Sequence, residues 1–453
     1  MSRVLVSFLG TGVSNSHRYD EVTYNIEGKT CKKTTLIAEA ITKYYGIDKL
    51  ILVGTPKSMW EEVYDRFAKI NGLQTDEEYL DDLLDYIDNA GIETDPTSFP
   101  NPNEIEKVVG NDSHVIIIDY GINNEQLKSN TEKILGIEQF LEYNDELIVD
   151  ITHGFRSLPI AMMNLLVYLQ NISSKSIEIS HILYGMREIE RETSEKLGKI
   201  KNEVPIIDLN KGEMGIVNIN KWISGAYAFK EFGKGYMIAD LLKNKYVDLT
   251  NKLNNLSDIQ SLNYLKELPK CIKEFIQQYE DNKSTLSSLE LMSIEPAIEE
   301  LIHYNLHNSS NTWQFQLNLS RWQCSKQNYL ASYSTLTECV ISYVCAKSRS
   351  KETGKTFDCN SFIDREIVKG KKIKGKNDEI LNESEHNYIA DFPEIYKIYE
   401  GDGLKIIRNA LVHNKSAKDR EGNNKLNYDS LNKVNNIDAQ LKKFIDRLML
   451  LLK

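Results

Sequence analysis

Two short stretches concentrate the side chains that could do chemistry. In DITHGFR, residues 150–156, Asp150, Thr152, His153 and Arg156 stand between an apolar run and a helix-like pattern. A carboxylate, a hydroxyl, an imidazole and a guanidinium this close could serve hydrolysis. Yet no Ser or Cys lies in a nucleophile-elbow pattern, and no metal-ligand spacing accompanies His153. A polar turn that leads into a helix offers free backbone N–H groups, to which Thr152 and Arg156 could add phosphate contacts. Asp150 could fix the turn through its carboxylate. In RNALVH, residues 408–413, a helix turning about 100° per residue puts Leu404, Ile407, Ala410 and Leu411 on an apolar face. Asn409 and His413 then share the opposite face, with Arg408 to one side. Periodicity alone reads them as an exposed polar face. They also fit one reaction, attack of an RNA 2′-hydroxyl on its own phosphate, which needs no metal and no enzyme nucleophile. His413 would move the proton and Arg408 would stabilise the developing charge. One Arg and one His make a thin site, and a two-fold copy would supply two of each.

A third stretch, FLGTGVSN, carries Gly10 and Gly12, with Asn15 where a dinucleotide fingerprint needs a third glycine. Two glycines after a strand let backbone N–H groups approach an anion, with Thr11, Ser14 and Asn15 adding donors. An ordinary tight turn explains the same glycines.

The elements that must hold these loops are legible in the first half of the chain. RVLVSFLG (from Arg3), KLILVGT (from Lys49), HVIIID (from His114), ELIVDIT (from Glu146), IEISHILYG (from Ile177) and VPIIDL (from Val204) are short apolar runs separated by helical patterns. That alternation predicts an α/β, Rossmann-like domain with a mostly parallel sheet covered on both faces. Ligands bind such sheets beyond the carboxyl ends of the strands. The loops that count are therefore Leu9 to Asn15, Gly54 to Trp60 and Asp150 to Arg156. The candidate ligand residues are Gly10, Thr11, Gly12, Val13, Ser14, Asn15, Thr55, Asp150, Thr152, His153, Gly154, Phe155 and Arg156. Beyond about Asn218 the pattern is helical, interrupted by one basic stretch, REIVKGKKIKGKNDE from Arg365, which reads as an exposed loop around Lys371, either a solvated connector or a contact to RNA.

Bulk properties bound the rest. A chain of 453 residues exceeds one ordinary core and predicts two or three domains. A net charge of −11 argues against a broad grip on duplex nucleic acid, while a small anion held by a few local donors is compatible with it. The six cysteines, Cys31, Cys271, Cys324, Cys339, Cys345 and Cys359, form no C-x-x-C pair and read as buried thiols of a reducing cytosol. The N-terminus lacks a signal-peptide layout and no apolar run is long enough to span a membrane, so a soluble, cytoplasmic protein is expected.

Taken together, FLGTG after the first strand, the D-x-T-H-G turn at Asp150–Gly154, the last strand VPIIDL, the W...A..F...G run from Trp222 and the R-x-x-x-x-H pattern at Arg408–His413 resemble the type III CRISPR-associated ribonucleases. Those proteins join an N-terminal CARF sensor to a C-terminal HEPN effector, and the resemblance covers essentially the whole chain. It implies a Rossmann-like CARF domain over residues 1–218, a helical linker over 219–290 and an α-helical HEPN domain over 291–453. It implies a homodimer, with larger assemblies left open, that binds a cyclic oligoadenylate across its two-fold axis, the D-x-T-H-G turn favouring cyclic tetra-adenylate. The bound ring would activate metal-independent cutting of single-stranded RNA, leaving 2′,3′-cyclic phosphate ends, without any cofactor. Arg408, Asn409 and His413 fall on the HEPN catalytic residues. Two alternatives belong to other classes: a nucleotide-responsive regulator without nuclease activity, and a sensor that also cleaves its own ring.

Overall fold

The computed structural model describes residues 2–11, 19–110, 112–186, 203–374, 380–382, 385–413 and 434–452. The chain divides into two compact units, residues 1–221 and 222–453. In the first, strands β1 (Arg3–Leu9), β2 (Thr23–Ile26), β3 (Lys29–Thr30), β4 (Lys49–Gly54), β5 (His114–Ile117), β6 (Glu146–Asp150), β7 (Glu178–Gly185) and β8 (Glu203–Asp208) form one sheet. Their order is β3-β2-β8-β7-β6-β1-β4-β5. The strands β7-β6-β1-β4-β5 are mutually parallel. β8 runs antiparallel to β7, and the hairpin β2–β3 extends the sheet beyond it, with β2 parallel to β8.

The central parallel strands β1, β4 and β6 form because their side chains are buried in both directions. Along β1, Leu5 enters a core shared with α1 (Ile37–Tyr45), α2 (Trp60–Asn71), α3 (Glu77–Asn89) and α4 (Pro102–Val109). Val4, Val6 and Phe8 enter the opposite core, shared with α5 (Asn124–Leu135) and α6 (Ser157–Asn171). A strand that serves two cores has no polar face, which is why it reads as a continuous apolar run. From β1 the sheet continues to β4 and β5 on one side and to β6 and β7 on the other. The boundary between β1 and β6 is therefore the switch point at which open α/β sheets take ligands.

The second unit is helical. Most of the helix Ile216–Phe232, together with Tyr236–Leu242, Val247–Ser261, Leu268–Asn282 and Ser288–His303, surrounds Phe229, Leu253, Phe275 and Ile298. A second core unites Leu336 and Val340 of the helix Tyr329–Lys347, Leu404 and Ile407 of Leu404–His413, and Phe444 of Val434–Leu451. The helix Thr312–Ser325 serves both cores, with Phe315, Leu319 and Trp322 in the first and Trp313, Leu317 and Cys324 in the second.

Three sequence expectations need correction. The basic stretch from Arg365 is not all loop: Ser361 caps a helix Phe362–Val368 by accepting from the Asp364 N–H, and Ile373–Lys374 pairs antiparallel with Ile380–Asn382. Among its described lysines, Lys369 and Lys371 pair with Glu366 and Lys372 with Glu385. The sheet has two more strands than the six apolar runs predicted, because β2 and β3 are short and border solvent. All six cysteines are free thiols, but Cys31 and Cys359 are only half-buried. Among the described residues no helix is long and apolar enough to cross a membrane.

Candidate functional site

The ends of β1, β4 and β6 converge at the switch point, and hydrogen bonds lock their loops together. The Ser58 hydroxyl donates to the Leu9 carbonyl at 2.9 Å and accepts from the Thr55 N–H at 2.9 Å. The Met59 N–H donates to the Gly10 carbonyl at 3.1 Å, and the Trp60 indole N–H to the Thr55 carbonyl at 2.8 Å. Gly54 makes this fold-back possible, since a Cβ there would stand 2.7 Å from the Trp60 ring and 2.9 Å from Ser58 Oγ. The loop after β4 is thus pinned to the end of β1.

The D-x-T-H-G turn is braced from beneath. Asp150 is fully buried and accepts from Ser7 Oγ at 2.6 Å, from the Thr152 N–H at 3.0 Å and from Thr152 Oγ1 at 2.5 Å. Thr152 Oγ1 in turn accepts from the Gly185 N–H at 2.8 Å, tying the turn to the end of β7. Burial pushes the Asp150 carboxyl above the usual carboxylate range, and the hydrogen bonds from Ser7 and Thr152 pull against that rise. Because the Thr152 hydroxyl proton is spent on Asp150, it is not available to donate to a phosphate. The turn meets the β1 loop closely: a Cβ on Gly10 would lie 3.2 Å from the Cβ of His153.

Between these loops lies a cavity of about 390 Å³. Of the residues expected from the sequence, Gly10, Thr11, Thr55, Thr152, His153, Gly154 and Phe155 line it. Asp150 does not line it; it supports the turn from the interior. Arg156 does not line it either, being exposed at the start of α6 with helical backbone angles rather than inside the first turn. Gly12, Val13, Ser14 and Asn15 lie outside the described residues. Sequence reasoning missed Tyr19, Asp20, Thr35 and Ser58, which also line the cavity. Only Ser58 gave a signal, as the hydroxyl of GTPKSMW. Tyr19 donates to Glu61, and burial together with that carboxylate pushes its phenol well above the usual range. Phe155 is 42% exposed, its ring centroid 5.7 Å from that of Tyr120. No acidic residue occupies the first turn of α6, so its N-terminal partial charge is unopposed there. Among the described residues no three His, Cys, Asp or Glu are grouped to hold a metal ion.

The second cluster belongs to the helical unit. Leu404 and Ile407 are buried as the periodicity requires, while Ala410 and Leu411 are half-buried. Arg408 and Asn409 do not form an exposed polar face; both are half-buried. Arg408 Nη1 donates to Asn409 Oδ1 at 3.0 Å, and its buried Nε has no hydrogen-bond partner among the described residues. The bond to Asn409 orients the Arg408 guanidinium. His413 closes the helix, and its side chain lies outside the described residues.

Residues 4–188, which include every residue lining the cavity, match the family model for the CARF domain of the CRISPR system endoribonuclease Csx1. Residues 218–305 match the model for the second domain of CRISPR-associated protein MJ1674. Over 471 aligned residues the chain is 28% identical to CRISPR-associated protein MJ1674 of Methanocaldococcus jannaschii, covering 99% of this chain and 68% of that protein. Among solved structures it is similar to Enterococcus italicus Csm6 bound to cyclic hexa-2′-fluoro-hexa-dAMP, at 11% identity and a TM-score of 0.34, over 98% of this chain and 93% of that one. A score that low carries no residue correspondences.

Proposed function

We propose, from the premise that the chain belongs to the CARF-containing effector family of type III CRISPR systems, that it is an endoribonuclease switched on by a cyclic oligoadenylate. The observation that carries this reading is the cavity at the switch point, framed by Gly10, Thr11 and the His153–Phe155 turn, inside the residues that match a CARF domain. Backbone N–H groups of the Gly10 loop and of the α6 N-terminus suit ring phosphates. Phe155 offers a face to a base. The Csx1 proteins whose sensor domain it matches are named endoribonucleases, which supports the same activity here.

The cutting is assigned to Arg408, Asn409 and His413. The RNA 2′-oxygen attacks the adjacent phosphorus, a P–O2′ bond forms, and the bond to the 5′-oxygen breaks to leave a 2′,3′-cyclic phosphate. A histidine accepts the 2′-proton or delivers one to the leaving oxygen, and Arg408, held by Asn409, stabilises the charge on the phosphorane. Two copies related by a two-fold axis supply both an acid and a base. A ring with an even number of identical units shares that symmetry, so each protomer contacts half of it alike, and cyclic tetra-adenylate is the favoured activator. No metal enters these steps.

The test is a single-stranded RNA reporter incubated in EDTA with cyclic oligoadenylates of three to six units. Cleavage should appear with cyclic tetra-adenylate and leave 2′,3′-cyclic phosphate ends. His413→Ala should abolish cutting and leave ring binding intact. Cutting by that variant at the wild-type rate would sink the catalytic assignment.

A further inference from the structure

The cavity at the switch point has two chemically different sides. One is the Gly10 loop and the start of α6, whose N–H groups suit phosphates. The other is a wall formed by Tyr19, Asp20 and Thr35. Two chain segments build that wall. The Val22 N–H donates to the Thr34 carbonyl at 2.8 Å and the Thr34 N–H to the Val22 carbonyl at 2.9 Å, an antiparallel bridge that brings the two segments together. The first turn of α2 holds both from behind: Tyr19 Oη donates to Glu61, and Thr35 Oγ1 donates to Glu62 at 2.5 Å. Arg66 lies 3.8 Å from Glu62 and 3.7 Å from Glu21, the neighbour of Asp20 in sequence, and so ties the same helix to the Asp20 segment.

This wall accepts hydrogen bonds and does not donate them. Tyr19 and Thr35 each have one hydroxyl proton, and both protons are spent on carboxylates that do not line the cavity. Their oxygens keep acceptor capacity only. Asp20 adds a carboxylate, an acceptor with about four lone-pair sites. Among the described residues no Lys or Arg lines the cavity. A phosphate set against Asp20 would meet a like charge with no described cation there to offset it. The group that suits the wall is therefore uncharged and carries N–H donors. Adenine has such a group in its 6-amino nitrogen, at the edge of a flat ring. The faces of that ring also find a place, since Met59, Ile118 and Leu158 line the cavity as apolar surface and Phe155 is exposed beside them.

We propose that Asp20, flanked by the oxygens of Tyr19 and Thr35, accepts a hydrogen bond from the 6-amino group of one adenine of the ring and so sets which base the sensor takes. This rests on the cyclic oligoadenylate reading above and adds the residue that tells adenine from other purines.

Calorimetry on the full chain with two rings tests it. The probes are cyclic tetra-adenylate and the cyclic tetranucleotide of purine riboside, which has hydrogen in place of each 6-amino group and is otherwise the same. Wild type should bind the second ring at least about tenfold more weakly, the loss expected for a hydrogen bond to a charged group. In Asp20→Ala the two rings should bind within about threefold of each other, because the partner of the amino group is gone. A merely structural Asp20 would weaken both rings alike and leave their ratio at the wild-type value, which overturns the proposal. Equal binding of the two rings by wild type overturns it as well. Should Asp20→Ala fail to fold, Asp20→Asn, which keeps one acceptor oxygen, carries the test: a ratio below that of wild type supports the assignment and an unchanged ratio overturns it. A wild-type chain that binds neither ring fails the cyclic oligoadenylate reading itself, a result distinct from tight binding of both.

Discussion

Phe155 separates the ligand reading from a purely structural one. A phenylalanine 42% exposed beside a cavity gains little for the fold, yet its ring is steadied by Tyr120 and its backbone by the turn into α6. Stacking of a base on an aromatic ring contributes about 1–3 kcal/mol. Phe155→Ala should therefore weaken cyclic tetra-adenylate roughly 10- to 100-fold with little change in Tm, and Phe155→Tyr should keep most of the affinity. Calorimetric titration decides, and an affinity within about threefold of wild type removes Phe155 from the ligand surface. Thr152, by contrast, is a brace whose hydroxyl joins Asp150 to Gly185. At this scale the sequence pointed to the turn, but not to which of its side chains line the cavity and which brace it. Spacing puts Asp150, Thr152 and Phe155 in one turn, and only burial tells which faces inward. The Tyr19 and Thr35 walls carried no sequence signal because they reach the cavity through the sheet order.

Among elements, the β7–β8 seam carries a pH-dependent pair. His181 Nδ1 lies 2.8 Å from Asp208 Oδ2, and its hydrogen bond to Asp208 raises the imidazole above its usual value. Burial pushes the Asp208 carboxyl up, but His181 and the N–H groups of Asn210 and Ile182 outweigh it and leave the group low. A raised histidine contributes stability below its unfolded value of about 6.5, and that contribution is lost as pH rises through the folded value. The lowered carboxylate contributes above its unfolded value of about 3.9 and loses its share as pH falls through the folded one. His181→Gln should consequently lower Tm most near pH 6 and least near about pH 9. A Tm difference constant across that range would show that the pair does not couple to folding. The seam also marks the limit of what was legible. β1 and β4 to β8 announce themselves as apolar runs, the central β1, β4 and β6 because both faces are buried. β2 and β3 have four and two residues, alternate or lack burial, and turn through Glu27 and Gly28 at φ of 50° and 82°. That two-residue turn with both φ positive suits a tight hairpin, but Glu-Gly is a weaker signal of it than Asn-Gly or Asp-Gly.

For the whole molecule, the proposed chemistry requires two chains, because one Arg408 and one His413 cannot be acid and base together. The outer side of α6 offers a surface for that association: Ile160 is 68% exposed, Val167, seven residues on, is 40% exposed, and Ile172 just beyond is 70% exposed. Residues seven apart lie on one face of a helix, and apolar side chains clustered there are what an interface between copies uses. The helix also begins at the cavity, since Phe155 and Leu158 line it. A two-fold contact along this face would bring the two cavities toward one ring, so dimerisation, ring binding and cutting should fail together. Ile160→Glu with Val167→Glu should yield a monomer by light scattering, bind cyclic tetra-adenylate at least about tenfold more weakly and lose stimulated RNA cleavage. His413→Ala should lose cutting alone. A double variant that stays dimeric, or a monomer that still binds the ring as tightly as wild type, would place the two-fold axis on another face.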